Sequence, residues 1–218
     1  MNILFLKILS IPKTIWVNFR YLPVNQAIKL PIAVAYDTSF RTVSGGLILN
    51  TPLRRNMIRI GFHEVPACHR KITKFHIEGS VVFKGESHIG NGSNIYVGED
   101  GRLTLGDDFK ISASSAIVCY NEIMFGRNIQ FSWNCLVMDS DTHTILDEQG
   151  NAYNHDKPII FGDNIWIGCS CNVLKGSKIP SNCVIGSMSL VSGDNFDEKT
   201  IIAGSPAKSI RKIGGWRL

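Results

Sequence analysis

The chain has 218 residues, is 44% hydrophobic and 19% charged, and carries a formal net charge of +5. That length suits one domain with a real core, and no run of about 18 apolar residues is present to cross a bilayer as a helix. The apolar start, Met1 to Lys7, is short and lacks a small-residue cleavage site, so it does not read as a signal peptide.

Residues 1–75 hold 11 Lys/Arg against 2 Asp/Glu, whereas the remainder holds 12 against 16. The early cations are interleaved with Trp16, Phe19, Tyr21 and Leu22, and Pro12, Pro23 and Pro31 cut the segment into short pieces. One reading is a basic amphipathic face that rests peripherally on an anionic membrane or a lipid-linked substrate. The other, which the sequence favours over residues 1–74, is an end cap that protects the edge of a repeat. Within it, Val34, Val43, Leu47 and Ile48 around Gly45-Gly46 are expected as short irregular strands leading into the repeat proper. No nucleic-acid partner is expected.

From about residue 75 to residue 193 aliphatic residues recur every six positions. Phe161, Ile167, Val173, Ile179, Ile185 and Val191 are the cleanest run. Neither a helix nor a simple strand has this period, and a triangular parallel β-helix does. One inward aliphatic residue per strand is expected. Ile165, Cys171, Ser177, Cys183 and Ser189, mostly small, are expected where the chain bends. Three hexads close a coil of 18 residues. The nine residues from Gly101 to Phe109 recur 20 positions on, from Asn121 to Ile129, which adds two residues at a corner. They recur a further 36 positions on around Pro158 to Ile165, which reads as two coils. Gly-Asp-Asn steps such as Gly162-Asp163-Asn164 suit tight corners, because Gly and Asn tolerate positive φ. Four of the six cysteines (Cys119, Cys135, Cys171, Cys183) fall at hexad positions and read as buried thiols; no disulfide is implied, which fits a cytoplasmic location.

The repeat body is expected over residues 75–195, with a tail over 196–218. It is broken once, at 138–158, by a loop that opens Asp139-Ser140-Asp141-Thr142-His143. A loop free of packing duties is where chemistry belongs. An imidazole titrates near neutrality, and an aspartate bonded to Nδ1–H leaves Nε2 free to take a proton. His143 is thus a candidate general base, with Asp141, or else Asp139, as its orienting group.

The Asp-x-Asp-x-His loop, the run Phe161-Gly162-Asp163-Asn164-Ile165-Trp166-Ile167-Gly168 and the tail Ala203-Gly204-Ser205-Pro206-Ala207-Lys208 together resemble one family. It is the hexapeptide-repeat acyltransferases, in the branch of maltose, galactoside and surface-polysaccharide O-acetyltransferases. The likeness covers roughly residues 75–213. It implies an all-β, left-handed parallel β-helix assembled as a homotrimer, using acetyl-CoA and no metal. Asp139, Ser112 and Trp166 would meet the acceptor. Trp166, Gly168, Cys169, Gly186 and Ser187 would line the pantetheine channel, and Lys208 and Arg211 would meet the CoA phosphates. The implied reaction is transfer of an acetyl group to a sugar hydroxyl of a cell-surface polysaccharide or its lipid-linked precursor, in the cytoplasm, at the inner face of the membrane if the basic segment binds lipid. Two departures stand out. Ser112 sits where the sugar acetyltransferases carry asparagine, and Gly193 replaces a lysine common after the last hexad. The alternatives are a non-catalytic β-helix scaffold and an N-acetyltransferase acting on an amino sugar. A zinc hydratase on this scaffold would need histidines on neighbouring coils, and the six histidines here are not so spaced.

Overall fold

The computed structural model describes residues 3–63 and 65–217; the side chains of residues 3, 4 and 41–43, that of Val43 among them, also lie outside the described set. Three parallel sheets form the faces of a triangular prism. Sheet A is built from Ile32–Val34, Ile58–Ile60, Ser87–Ile89, Phe109–Ala113, Ile129–Trp133, Ile165–Ile167 and Val184–Ile185, and ends in Thr200–Gly204 and Ala207–Lys212. Sheet B stacks Ser39–Val43, Lys74–Ile77, Asn94–Val97, Ala116–Cys119, Leu136–Met138, Asn172–Leu174 and Leu190–Val191. Sheet C stacks Gly46–Leu49, Ser80–Phe83, Arg102–Leu105, Glu122–Phe125, Ile159–Phe161 and Lys178–Ile179. The chain visits A, B and C in turn, as the all-β, left-handed parallel β-helix requires.

Beside the one inward aliphatic residue expected, most rungs bury a second residue two positions earlier, in the strand or just before it. Ile165 and Ile167 are both buried and flank an outward Trp166; Cys171 with Val173 and Cys183 with Ile185 follow the same rule. Strand pleat, with its period of two, imposes this. The small residues expected at the bends are therefore interior. Ser177 and Ser189 are buried too, and satisfy their hydroxyls on Leu174 and Gly186 carbonyls, each at 2.6 Å. Stacked rings fill the middle of the prism: Phe125 lies 4.9 Å from Phe109 and 4.6 Å from Phe161 between centroids.

At the C-to-A corner it is Asn164, with φ of 58°, that adopts the left-handed conformation, as do Asn128 and Asn182 on the coils either side. Their amides form a ladder, Asn128 donating to Asn164 at 2.8 Å and Asn164 to Asn182 at 2.9 Å. Gly162 serves differently. A Cβ there would meet Ser181 Oγ at 2.5 Å, so coil stacking excludes any larger residue.

The sheets begin at Ile32, well before the boundary at 75 expected from the hexads. Residues 32–60 supply coil strands, with Ile32, Ala33 and Val34 paired to Ile58, Arg59 and Ile60, although Ser39–Val43 slips by one residue against Lys74–Ile77 between Phe40 and Thr42. The insertion 61–73 between Ile60 and Lys74 had hidden their period. The cap is confined to α1 (Ile3–Leu9), α2 (Ile11–Tyr21) and α3 (Val24–Ala27). It closes the open edge of Ile32–Val34 with side chains instead of a strand. Val34 N–H donates to Thr14 Oγ1 at 3.0 Å, Ile32 N–H to Asn18 Oδ1 at 3.2 Å, and Tyr36 N–H to Ser10 Oγ at 3.0 Å. Residues 10, 14 and 18 recur at the helical interval of four and so present one stripe to the edge.

The other correction concerns the 36-residue step. Ile123 pairs directly with Ile159, and Leu136 with Asn172, so the step is one coil carrying a long loop. The loop adds 18 residues to a coil of 18, which preserves the phase while adding no rung. At the far end the chain turns back at Gly204 (φ 109°), and Ala207–Lys212 runs antiparallel to Thr200–Gly204.

Candidate active site

The loop leaves the prism after Leu136–Met138, at the corner between sheets B and C. Asp139 is its root. The carboxylate is fully buried and accepts the N–H groups of Tyr120 at 2.7 Å and Asn121 at 2.9 Å. Burial holds its pKa above the usual carboxylate range, against those two donors. With its oxygens committed to the backbone of the coil below, Asp139 is placed neither to orient His143 nor to meet an acceptor.

Beyond it the loop forms a small hairpin, with Leu146 bridged to Ala152 and Asp147 accepting the N–H groups of Gln149 and Asn151 at its tip. Asn154 ties the base. It donates to Asp141 Oδ2 at 2.7 Å and to the His143 carbonyl at 2.9 Å, and accepts from Ile145 N–H at 2.6 Å. Lys175 rises from the next coil and donates to Asp141 Oδ2 and to the Asn154 carbonyl, both at 2.5 Å. The hydrogen bond from Lys175, followed by that from Asn154, lowers the pKa of Asp141.

His143 stands exposed at the rim of a cavity of about 350 Å³ lined by Tyr120, Ser140, Asn154, His155 and Asp156 among others. Its Nδ1 lies 3.4 Å from the Asp141 carbonyl oxygen and 3.0 Å from the Thr142 hydroxyl. The carbonyl can only accept and the hydroxyl can give or take, so the tautomer with hydrogen on Nδ1 is the one that satisfies both contacts, and it leaves the lone pair on Nε2. The imidazole is thus held at Nδ1 by the Asp141 carbonyl and the Thr142 hydroxyl, the Asp141 carboxylate being engaged elsewhere. Tyr120, Asn154 and Lys175 were not singled out from sequence. The register could have found two of them, because Val118 opposite Met138 levels Tyr120 with Ser140, and Met138 opposite Leu174 levels Lys175 with Asp139.

The other candidate residues lie on another face. Trp166 is 43% exposed on sheet A, with Nε1 donating to Ser132 Oγ at 3.3 Å. Ile111, Phe131, Ile167 and Ile185 are aligned across successive strands, so Ser112, Ser132, Gly168 and Gly186 follow them in a line of small residues. Ser112 donates its hydroxyl to the Phe131 carbonyl at 2.8 Å. A Cβ on Gly168 would meet Ser187 N at 2.6 Å, and one on Gly186 would meet Ala203 Cβ at 2.8 Å. Stacking alone thus requires both glycines. Cys169 Sγ donates to Ser187 Oγ at 3.5 Å, and Lys208 and Arg211 lie exposed on the final strand of this sheet. Among the described residues, no three His, Cys, Asp or Glu side chains converge as a metal site.

No protein-family model matches the chain. A galactoside O-acetyltransferase of Lactococcus lactis is 33% identical over 132 residues, which cover 59% of this chain and 55% of that protein. The galactoside O-acetyltransferase of Escherichia coli is 30% identical over 137 residues, 63% of this chain and 60% of that one. The chain is similar to hexapeptide-repeat O-acetyltransferases. It spans a little over half the length of these two relatives. Among solved structures, a polysialic acid O-acetyltransferase superposes with a TM-score of 0.47 at 20% identity, covering 83% of this chain and 91% of that one.

Proposed function

We propose that this chain is an acetyl-CoA-dependent O-acetyltransferase acting on a sugar hydroxyl, in a cell-surface polysaccharide or its lipid-linked precursor, in the cytoplasm. The observation that carries the reading is the setting of His143, with Nδ1 turned to the Asp141 carbonyl and the Thr142 hydroxyl and the ring at the rim of a polar cavity. In that state Nε2 takes the proton of an acceptor hydroxyl. The oxygen attacks the thioester carbonyl, the C–S bond breaks, and the proton passes to the departing CoA thiolate.

The line of small residues beside Trp166 supports an extended pantetheine on sheet A, leading toward Lys208 and Arg211 for the phosphates. That donor surface and the His143 loop occupy different faces of one chain. Transfer requires them to meet, and a neighbouring copy setting its sheet A against this loop would bring them together. Exposed Ile145, Leu146 and Tyr153 on the loop suit such a contact, which supports the homotrimer.

Calorimetric titration with acetyl-CoA should give one site per chain. Thiol release should then follow addition of hydroxylated sugars, and not of amino sugars blocked at their hydroxyls. Lys208→Ala with Arg211→Ala should weaken CoA more than dephospho-CoA; equal loss would remove both residues from the 3′-phosphate role. An intact trimer that ignores acetyl-CoA would return the chain to the scaffold reading.

A further inference from the structure

Helix α2 is amphipathic the wrong way round for a simple packing cap. Its inward face buries Val17, but the stripe formed by the N-cap Ser10 with Thr14 and Asn18 is polar because it hydrogen-bonds the edge of the first coil. Most of the other apolar residues are left outside. Phe5, Ile8, Ile11, Ile15, Trp16 and Phe19 are each between 43% and 54% exposed, and Val24 and Ile28 on and just after α3 are more exposed still. A continuous apolar helix face of this kind calls for a covering.

The surrounding charge says what kind. Residues 1–75 carry 11 cations against 2 anions. Lys7, Arg20, Lys29 and Arg55 are distributed among the exposed apolar residues of this end of the prism. Between α1, α2 and the first two coils runs a groove of about 620 Å³, lined by Ile8, Ile11, Ile15, Leu30 and Phe62, with Lys7, Arg55 and Arg59 contributing cations. Arg59 stacks on Phe62 at 5.4 Å. An apolar trough bordered by cations matches a molecule with a hydrocarbon chain and an anionic head. Trp16, packed edge-on against Tyr21 at 5.7 Å, is the residue type that settles at the boundary between headgroups and acyl chains.

We propose that this end of the prism docks on an anionic lipid bilayer, α1 and α2 lying in the plane of the interface with the groove receiving part of one anionic lipid. The polar stripe that closes the sheet edge is what frees the opposite face for lipid. This inference does not depend on acetyl transfer and stands or falls separately from it. It also differs from membrane spanning: no helix among the described residues is long and apolar enough to cross.

The test is co-sedimentation of the full chain with vesicles of phosphatidylglycerol and phosphatidylcholine, and with vesicles of phosphatidylcholine alone. The anionic vesicles should take up the chain, the neutral ones much less, and brominated acyl chains should quench part of its tryptophan fluorescence. That quenching should vanish in Trp16→Phe. Ile15→Glu with Phe19→Glu, both side chains being outside the polar stripe, should retain the circular dichroism melt and lose partitioning by roughly tenfold or more. Lys7→Glu with Arg55→Glu should abolish the preference for anionic lipid. Failure of the native chain to bind anionic vesicles would overturn the proposal. So would unchanged binding in the folded Ile15→Glu, Phe19→Glu variant. A third overturning result is a self-association, seen by sedimentation equilibrium, that this variant breaks while vesicles are ignored, since the face would then be covered by a second copy.

Discussion

The repeat body and the loop that interrupts it place the same residue types under opposite rules. In the body each interior position is set by the coils above and below it, so that Phe125 meets Phe109 and Phe161 and Asn164 bridges two other asparagines. In the loop the contacts are local, and Lys175 is the tie from the next coil to Asp141. The border falls between two aspartates. Asp139, two residues before Asp141, is buried and its pKa is raised; Asp141 is exposed and its pKa is lowered by the Lys175 and Asn154 hydrogen bonds. Position relative to the stack, not residue type, decides whether a carboxylate holds the fold together or poses a neighbour.

The largest expected effect separates the two regions by what each is for. His143→Ala should lower turnover by roughly 10²–10⁴-fold while leaving the melting temperature and acetyl-CoA affinity unchanged. Near-normal turnover in steady-state assays would remove the general base. Phe125→Ala, in the body, should cost about 3–5 kcal/mol in denaturant unfolding, since the vacated space is walled by other rings that cannot collapse freely. Next comes the border. Asp139→Ala strands two backbone donors and should cost about 1–3 kcal/mol, whereas Asp141→Ala should leave global stability within about 0.5 kcal/mol and accelerate amide exchange in residues 140–156. A similar global loss from both variants would erase the distinction.

The smallest effect is a matter of sign. A carboxylate with a raised folded pKa is deprotonated first in the unfolded chain, so the contribution of Asp139 falls as pH climbs from the usual carboxylate range to its folded value. Asp141 behaves oppositely: its contribution is present above the usual range and is lost as pH falls toward its depressed folded value. Subtracting the stability profile of Asp139→Asn from the native one should therefore leave a curve that declines with pH. The same subtraction for Asp141→Asn should leave one that rises. Two curves of the same sign would break the comparison.

Much of the body was legible because repetition multiplies a weak signal. Phe161 to Val191 announce six successive faces, and the buried thiols Cys119, Cys135, Cys171 and Cys183 fall where the period puts them. Where insertions lengthen a coil, the signal fails. The segment 32–49 was read as short irregular strands, and not as the first coil, because the insertion 61–73 displaced its successor. The loop itself was visible, but the 36-residue step across it was counted as two coils, since a period cannot distinguish a coil from an excursion of the same length. The loop that carries His143 was legible because an interruption in a repeat is conspicuous. The contacts of its imidazole were not, because hydrogen bonds to a backbone carbonyl leave no mark in residue identity. The division between the His143 loop and the Trp166 surface was hidden for a related reason: sequence order runs around the prism and does not say which face a chemistry needs to be complete.

The reversal at Gly204 also bears on a hazard of this architecture. Stacked parallel strands form a template whose last rung could seed another chain, and then another, into a fibre. On sheet A the final strand runs the opposite way and carries Lys208, Arg211 and Lys212. An incoming parallel strand would find the wrong direction and a row of positive charge. At the opposite end of the same sheet, N–H groups of Ile32, Val34 and Tyr36 are already taken by Asn18, Thr14 and Ser10. Sheet A is thus closed at both ends, and concentrated solutions of the chain should resist filament growth along that face.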